Sequence, residues 1–336
     1  MPEQFKEDCK NSFSMLILNK SDINSLVSPS ELMDVLTEAL IQQEEGKVIM
    51  PQRMHAGFDK NMLLLMPCYD GDFFATKMVS VYPENPSKQL PAIYGSVVLN
   101  DGNTGKPLAI IEGSSLTAQR TGAIGGIGIR HTTPENISTV GLIGAGVQGY
   151  HQLIYACSSR PVKSVRIFDH KPGSSKKIIT KLKSDFPKIE FAIANAVEAL
   201  LKHSQLIITA TASATPVLPD KPGLLIGKHF IAVGSYTPKM QELPDKLFCL
   251  TDQIIVDTEH AVHESGDVIN PIKAKQISKE QVIPISKIIS GKVGLSATST
   301  TIFKSVGMAL FDLAAAKYFY QKAVKNKVGT DVNFID

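Results

Sequence analysis

The stretch that decides the fold is STVGLIGAGVQG, which covers residues 138–149 and is followed by an acidic residue, Asp169, at the end of the next apolar run. An apolar strand, a glycine-rich turn, a helix and a second strand ending in an acid follow the order of a dinucleotide-binding βαβ unit. The glycines have separate roles, because Gly144 makes the tight turn, Gly146 lets the backbone approach a pyrophosphate, and Gly149 lets the helix pack on the strand. The stretch therefore predicts a nicotinamide dinucleotide site.

The residues around this turn also predict which dinucleotide binds. We expect the helix to begin near Ala145 and to point its unpaired N–H groups at the phosphates. Asp169 is expected to accept hydrogen bonds from the ribose hydroxyls and to repel a 2′-phosphate, which favours NAD(H). His170 and Lys171 follow it and could still accept a phosphate. The predicted cofactor is therefore NADH, with NADPH tolerated.

Composition limits the class of protein and its partners. With 336 residues the chain is long enough for about two domains. Lysine and arginine number 35 and aspartate and glutamate 32, without a basic run, so we expect no nucleic-acid partner. No apolar run approaches the ~20 residues of a membrane span, and the polar start lacks a signal-peptide pattern, so we expect a cytoplasmic protein without a membrane partner.

The cysteine and histidine pattern predicts no metal site. The four cysteines are widely scattered without a CxxC pair, which fits reduced thiols used as small apolar residues. His260 and His263 have a spacing that could hold zinc, but no further ligand accompanies them. A solvated helix face is the preferred interpretation of this pair.

Outside the βαβ unit, the pattern predicts a second, β-rich domain. Short apolar or β-branched runs separated by turn signals favour an antiparallel sheet. A first strand, a helix and four further strands are expected at 15–18, 29–46, 62–66, 73–81, 96–99 and 107–112.

The remaining pattern completes the predicted fold class, which is α/β. Strands and helices alternate beyond Asp169, so a Rossmann-type doubly wound parallel sheet is expected beside the β-rich α+β domain. A helix at 115–130 leads into the nucleotide domain, and a last helix from Thr300 to about Lys325 returns to the other domain. The predicted boundaries place 121–300 in the Rossmann domain, with 1–120 and 301–336 in the β-rich domain.

Three basic residues stand in otherwise apolar or uncharged surroundings. Arg53 comes at the head of a strand, Lys77 lies within FFATKMV, and Arg120 lies within LTAQRTG. Charged side chains are rarely buried without a partner, and planar arginine binds a carboxylate through two parallel hydrogen bonds. From the pattern alone, each side chain either faces solvent or holds a substrate carboxylate.

Several separate motifs occur along the chain in a fixed order. They are MP at 50–51, KMVSV and PEN at 77–85, LTAQRTGA at 116–123, GAGVQ at 144–148, VG and EL within 233–243, ESGD at 264–267 and FKSVG at 303–307. In content and order they resemble the ornithine cyclodeaminase and mu-crystallin family of NAD(P)-dependent enzymes, over nearly the whole chain.

This resemblance implies a set of site residues and an assembly. It implies a homodimer built through the β-rich domain, with the substrate between the two domains. Residues that bind the substrate are then expected at Arg53, Lys77, Arg120 and Tyr236. Residues that bind the cofactor are expected at Gly144, Ala145, Gly146, Val147, Gln148, Gly149, Asp169, His170, Lys171, Thr121, Thr211, Val233, Gly234, Lys304 and Gly307.

One departure from the family pattern points to the reaction. In the resembled ornithine cyclodeaminases and archaeal alanine dehydrogenases, an aspartate matches Tyr236, and a tyrosine cannot supply that negative charge at neutral pH. The departure favours reduction of a preformed cyclic α-imino acid, with Δ1-pyrroline-2-carboxylate giving L-proline or Δ1-piperideine-2-carboxylate giving pipecolate. Ornithine cyclodeaminase, alanine or opine-like dehydrogenase, and a non-catalytic nucleotide-binding protein remain the alternatives, and Tyr236 packing over the cofactor remains open.

Overall fold

A computed structural model describes residues 14–333 of the 336-residue chain. The strands are β1 (Ser14–Leu18), β2 (Met54–Phe58), β3 (Asn61–Tyr69), β4 (Phe73–Val81), β5 (Ile93–Asp101), β6 (Pro107–Glu112), β7 (Thr139–Ile143), β8 (Ser164–Phe168), β9 (Glu190–Ile193), β10 (Leu206–Thr209), β11 (His229–Ala232), β12 (Ile254–Val256), β13 (Val282–Pro284), β14 (Thr301–Lys304) and β15 (Thr330–Asn333). The helices are α1 (Lys20–Leu26), α2 (Pro29–Glu44), α3 (Gly113–Thr132), α4 (Val147–Ser159), α5 (Ser174–Asp185), α6 (Val197–Lys202), α7 (Pro222–Leu225), α8 (Ala261–Glu264), α9 (Gly266–Lys273), α10 (Ile285–Ile289) and α11 (Ala309–Asn326).

The described chain divides into two units, and each is assembled from separate segments. The first contains the described residues up to Val27, Gly46–Thr117 and the chain from Ala309 onward. The second contains Ser28–Glu45 and Ala118–Met308. The borders of the two units differ by a few residues from those predicted for the domains, and the helix at 29–44 belongs to the second unit.

Tertiary contacts explain why α2 joins the second unit. Arg130 on α3 donates to the Asp34 carboxylate at 2.7 Å, and Ser286 on α10 donates to Glu44 at 2.8 Å. Local sequence cannot reveal these partners, because they lie far away along the chain. The helix itself follows from local signals, since Pro29 occupies its first turn and Leu32, Met33, Leu36 and Leu40 form its buried stripe.

The first unit is built on a seven-stranded sheet in the order β15-β1-β6-β5-β4-β3-β2. Strands β2 to β6 pair antiparallel, but β1 pairs with β6 in parallel, so the predicted antiparallel sheet is in fact mixed. Strand β4 alternates between its two faces: Phe73, Ala75 and Lys77 are buried, whereas Phe74 and Met78 are exposed. Helix α11 packs against β3, β4 and β5.

The second unit is built on an eight-stranded sheet in which every pair of strands is parallel, in the order β13-β12-β14-β11-β10-β7-β8-β9. The run from β9 to β14 has the doubly wound order of the Rossmann fold, with the switch point between β7 and β10. Ligands bind such sheets outside the carboxyl ends of the strands. The predicted α/β class with a Rossmann-type domain is confirmed.

The segment after residue 300 corrects one prediction. A helix was expected to start at Thr300, but Thr301–Lys304 is a fully buried strand between β11 and β12, and α11 begins only at Ala309. The strand therefore belongs to the second unit, so the predicted border after residue 300 is too early. A short apolar run has no periodicity that separates a buried strand from a buried helix.

The described chain lacks two features that would indicate a membrane or a metal partner. No helix within residues 14–333 is long and apolar enough to cross a membrane. No group of three or more His, Cys, Asp or Glu side chains in that range is arranged to hold a metal ion.

Candidate active site

The glycine-rich turn after β7 has the geometry that its sequence predicted. Gly144 adopts φ +100°, and a Cβ there would lie 2.5 Å from the carbonyl oxygen of Ala210, so only glycine fits. A Cβ on Gly149 would collide with the Gly144 carbonyl oxygen, which explains how α4 packs against the turn. A Cβ on Gly146 would meet no atom within 4 Å among the described residues.

The start of α4 fits a dinucleotide pyrophosphate. The helix begins at Val147, slightly later than the predicted start near Ala145, and its N-cap is Gly146, which has no side chain to cap the first turn. Val147 is 67% exposed, so the first turn borders open space. Uncapped N–H groups at the positive end of a 13-residue helix attract phosphate oxygens. Residues 144–149 therefore suit the predicted role.

Asp169 lies beside this turn and is held by two backbone groups. Its Oδ2 accepts a hydrogen bond from the Ala145 N–H at 2.6 Å, and its Oδ1 accepts one from the Lys171 N–H at 2.7 Å. The ring of His170 is 83% exposed, and Lys171 is exposed as well. A carboxylate fixed at the end of β8 fits the binding of a ribose, while the two exposed basic residues leave room for a 2′-phosphate.

The loops after β10 and β11 meet on one buried carboxylate, Glu242. Its Oε1 accepts hydrogen bonds from the Thr211 N–H at 2.7 Å and the Thr211 hydroxyl at 2.8 Å. Its Oε2 accepts from the Gly234 N–H at 2.7 Å and the Ser235 N–H at 3.3 Å. Thr211, Val233 and Gly234 thus lie at the carboxyl edge of the sheet, where cofactor contacts were predicted.

Lys304 differs from its predicted role in direct cofactor binding. Its side chain is 0% exposed, and its Nζ lies 3.4 Å from Asp267 Oδ2 and donates to the Ala232 carbonyl oxygen at 3.3 Å. A side chain enclosed in this way cannot touch a ligand. Lys304 ends β14, which lies between β11 and β12. Through its contacts with Asp267 and Ala232, it supports the loops that a ligand would contact.

Gly307 follows β14 and lies against Arg120. A buried carboxylate, Asp257, accepts hydrogen bonds from the Ser305 hydroxyl and from the Val306 and Gly307 N–H groups, the first and last at 2.7 Å. Burial raises the pKa of this carboxyl, while these donors oppose the rise. Gly307 adopts φ +79°, and a Cβ there would lie 2.7 Å from Arg120 Nη1. The absent side chain therefore leaves space for the guanidinium.

Arg120 and Thr121 lie on α3 and are both buried. The Thr121 carbonyl oxygen accepts a hydrogen bond from Gln152 Nε2 on α4 at 2.7 Å. The glycines of α3 lie mostly against side chains: a Cβ on Gly122 would lie 2.5 Å from the Tyr155 ring. This packing fixes the part of α3 that carries Arg120.

In the first unit, Lys77 forms a buried ion pair. Its Nζ lies 2.7 Å from Asp312 Oδ2 on α11, and the two side chains are 4% and 1% exposed. The alternative that Lys77 faces solvent is therefore wrong. Arg53 directly precedes Met54, which pairs with Leu65, and Leu65 pairs with Met78. Arg53 and Lys77 therefore lie at nearly the same level of the sheet, two strands and about 10 Å apart.

Tyr236 lies in the loop between β11 and Glu242 and is 52% exposed. The loop has internal hydrogen bonds: the Ser235 hydroxyl donates to the Met240 carbonyl oxygen at 2.7 Å, and the Gly266 N–H donates to the Thr237 carbonyl oxygen at 3.2 Å. Tyr236 is thus an exposed side chain on an ordered loop at the same edge of the sheet.

Sequence reasoning missed four acids as functional residues. Glu242 and Asp267 entered only as parts of family motifs, and Asp257 and Asp312 were not considered. Asp312 carried a signal, because it stands alone in the apolar run 308–316 and a buried acid needs a partner. Lys77 stands alone in an apolar strand in the same way, so the two charges could have been matched.

The doubly wound sheet, the uncapped glycine turn and the fixed acid after β8 define a dinucleotide-binding protein of the Rossmann class. The model of the ornithine cyclodeaminase/mu-crystallin family matches residues 14–327. The chain belongs to this family, and the resemblance found in its motifs is confirmed.

Individual relatives are similar over the full length. The chain is 34% identical over 330 residues to a Δ1-pyrroline-2-carboxylate reductase of Bacillus cereus, covering 95% of this chain and 100% of the relative. The solved structure of the Thermococcus litoralis Δ1-pyrroline-2-carboxylate reductase with NADH and L-proline has a TM-score of 0.88 and 33% identity, and the match covers 95% and 100% of the two chains. An archaeal alanine dehydrogenase dimer with bound NAD has a TM-score of 0.87 and 31% identity, covering 96% and 100%.

Proposed function

We propose that this protein is an NAD(H)-dependent reductase of cyclic α-imino acids, with Δ1-pyrroline-2-carboxylate reduced to L-proline as the leading reaction. The observation that carries the proposal is the full-length similarity to Δ1-pyrroline-2-carboxylate reductases, one of them solved with NADH and L-proline. Δ1-Piperideine-2-carboxylate, the six-membered homologue, is the second substrate to test, and NADPH is the second cofactor.

Reduction of an imine needs a hydride on carbon and a proton on nitrogen. NADH supplies the hydride when it is bound. The protein must hold the substrate carboxylate, orient the C=N bond and provide the proton. Reducing a preformed imine releases no ammonia and needs no base to remove a proton from an amine.

We assign the substrate carboxylate to Arg120 and Arg53. A guanidinium binds a carboxylate through two parallel hydrogen bonds, and such charge-assisted bonds are about twice as strong as neutral ones. The position of Arg120 supports this role, because its guanidinium lies against the glycine after β14, at the carboxyl edge of the parallel sheet.

We assign the imine nitrogen to Lys77, which polarises the C=N bond or relays the proton. Its pairing with Asp312 supports this role, because a carboxylate at 2.7 Å is the partner that a buried ammonium needs. Asp312 reaches no reacting atom in this scheme, so it is a positioning residue.

Tyr236 separates the proposed reaction from ornithine cyclisation. Ornithine carries a distal ammonium, and burying that charge without a negative partner is costly. A phenol at this position supplies no such charge at neutral pH, whereas a cyclic imino acid needs none. The alternative in which Tyr236 packs over the cofactor is compatible with the same preference.

A second candidate function is alanine dehydrogenase. The archaeal alanine dehydrogenase has nearly the same identity and TM-score as the reductase structure. This enzyme class forms its imine from a 2-oxo acid and ammonia, so the two functions differ in the substrates they require.

A substrate panel tests the proposal. We expect the purified protein to oxidise NADH with either cyclic imino acid, and to be inactive with ornithine and NAD. Activity confined to pyruvate plus ammonium would assign alanine dehydrogenase instead. Ammonia release from ornithine at a comparable rate would refute the argument from Tyr236, and Tyr236→Asp is expected to gain weak ornithine turnover. No turnover with any member would leave a non-catalytic nucleotide-binding protein.

We also propose that the protein is a homodimer assembled through the open face of the first unit's sheet. The face opposite the buried side of β4 carries several exposed apolar side chains, which are Met54, Phe58, Phe74, Met78 and Tyr94. Contiguous exposed apolar patches mark interaction surfaces. The archaeal alanine dehydrogenase is a dimer, which supports a dimeric state but does not by itself identify the interface.

Sedimentation tests this assembly. Met78→Glu places a charge at the middle of the face and is expected to give monomers, whereas Val324→Glu changes an exposed apolar residue on α11 and leaves the dimer intact. A monomeric parent protein, or a dimeric Met78→Glu variant, would refute the proposed interface. A cytoplasmic location stays a prediction from the sequence.

A further inference from the structure

We infer that Glu242 is a positioning residue that sets the shape of the cofactor-binding edge of the second unit by joining the loops after β10 and β11. The inference rests on the proposed cofactor contacts of Thr211 and Gly234. Glu242 itself is 0% exposed and therefore touches no ligand.

Four hydrogen bonds hold the Glu242 carboxyl group in one orientation. Each carboxylate oxygen accepts two donors, and all four donors belong to the two loops: Oε1 accepts from Thr211, and Oε2 accepts from Gly234 and Ser235. A carboxylate can accept at both oxygens at once, but an amide cannot, because its NH2 group donates. The site therefore fits a carboxyl group better than an amide.

Two charged side chains, Lys304 and Asp267, act on the Glu242 carboxyl. The pKa of the Glu242 carboxyl is raised, because burial and the nearby Asp267 carboxylate outweigh the opposing effects of the Lys304 ammonium and the Thr211 donors. Lys304 thus has a function that needs no contact with a ligand.

The backbone of Glu242 is fixed as firmly as its side chain. Asp267 Oδ1 accepts hydrogen bonds from the N–H groups of Glu242 and Leu243, at 2.7 and 2.9 Å. Lys304 lies 3.4 Å from the other oxygen of Asp267. The buried lysine therefore faces the acid that holds Glu242 in place.

This arrangement closes the loop that carries Tyr236. The loop leaves β11 at Gly234 and returns at Glu242, and the Glu242 side chain binds back to the N–H groups of Gly234 and Ser235. A Cβ on Gly234 would collide with Thr211 backbone atoms and lie 2.5 Å from Glu242 Oε1, so the two loops are in direct contact. Glu242 thus fixes the positions of Thr211 and Gly234 relative to each other, and it fixes the base of the loop that carries Tyr236.

The test compares three variants by direct NADH binding and by thermal unfolding. Glu242→Gln is nearly isosteric but faces two donors with its NH2 group, and it is expected to weaken NADH binding by about tenfold or more. Glu242→Asp keeps both acceptors on a shorter side chain and is expected to bind NADH with intermediate affinity. The chain has no tryptophan, so the fluorescence of NADH itself reports binding without interference.

Ile254→Ala serves as the control for lost stability alone. Ile254 is buried at the amino end of β12, level with Ile302, and so lies two residues along the strand from the carboxyl end at Val256. We expect this variant to unfold at a lower temperature while keeping its NADH affinity within about twofold, because the cavity lies away from the loops. A matching loss of affinity in the control would refute the positioning role.

The remaining outcomes separate this inference from the proposed function. A folded Glu242→Gln variant that binds NADH as tightly as the parent protein overturns the inference. If Glu242→Gln does not fold, Glu242→Asp decides: parental affinity overturns the inference, and weaker binding at an unchanged unfolding temperature supports it. If NADH binding depends on Glu242 but no imino acid is reduced, the proposed substrate is wrong and the positioning role stands.

Discussion

The buried pair of Lys77 and Asp312 allows the sharpest test, because the first unit also contains an exposed pair of the same length. Lys77 and Asp312 are 2.7 Å apart with side chains 4% and 1% exposed. Lys60 and Glu84 are also 2.7 Å apart, but their side chains are 78% and 65% exposed. The two pairs differ in burial rather than in distance. A difference in the folding stability lost when one partner of each pair is removed therefore measures the effect of burial.

The expected magnitudes follow from this burial. Asp312→Asn takes the carboxylate away from a buried ammonium, which costs about 3–5 kcal/mol of folding stability. Glu84→Gln removes an exposed partner and is expected to cost at most about 1 kcal/mol. Replacing both buried charges, in Lys77→Met/Asp312→Leu, is expected to recover much of the stability, since a buried pair is often no better than apolar residues of similar volume.

Urea unfolding followed by circular dichroism gives the stability, and NADH oxidation with a cyclic imino acid gives the activity. Asp312→Asn should be unstable and nearly inactive, whereas the double variant should be stable and inactive, because it lacks the Lys77 ammonium. A rise in KM alone would indicate that Asp312 affects only binding, whereas the proposed role requires kcat to fall. If Asp312→Asn costs no more stability than Glu84→Gln, the argument that Asp312 maintains the charge of Lys77 is wrong.

Three further predictions concern the second unit. Asp169→Ser is expected to shift cofactor preference toward NADPH by ~1–3 kcal/mol, because it removes the carboxylate that repels a 2′-phosphate, and an unchanged ratio of the two cofactor affinities would show that Asp169 does not face the ribose. Arg120→Leu is expected to lower kcat/KM for the imino acid by ~2–5 kcal/mol and to leave NADH affinity unchanged, so an equal loss of NADH binding in calorimetry would refute its role in holding the carboxylate. Gly307→Ala places a Cβ 2.7 Å from Arg120 Nη1 in a backbone conformation of φ +79°, and it is expected to raise KM for the imino acid by about tenfold; a KM equal to the parent's would mean that the guanidinium position is unimportant.

The amino-acid sequence by itself determined the parts of this protein that depend on neighbouring residues. The run 138–149 predicted the strand, the turn and the helix, with the helix start about two residues early, because the positive φ of Gly144 is a local requirement that glycine meets. Strand β4 was predicted with its observed ends, Phe73 and Val81, because apolar residues bounded by turn signals are a local pattern.

Only the tertiary structure decided which charges meet. Asp312 lies far from Lys77 along the chain, and the two become partners because of how α11 packs on β4. Thr211 and Gly234 come together on Glu242 because β10 and β11 are adjacent and parallel. Lys304 is enclosed because β14 enters between β11 and β12, an order that no local pattern contains. Burial then makes each of these contacts costly to break, because removing one partner leaves the other charge or polar group unpaired and away from water.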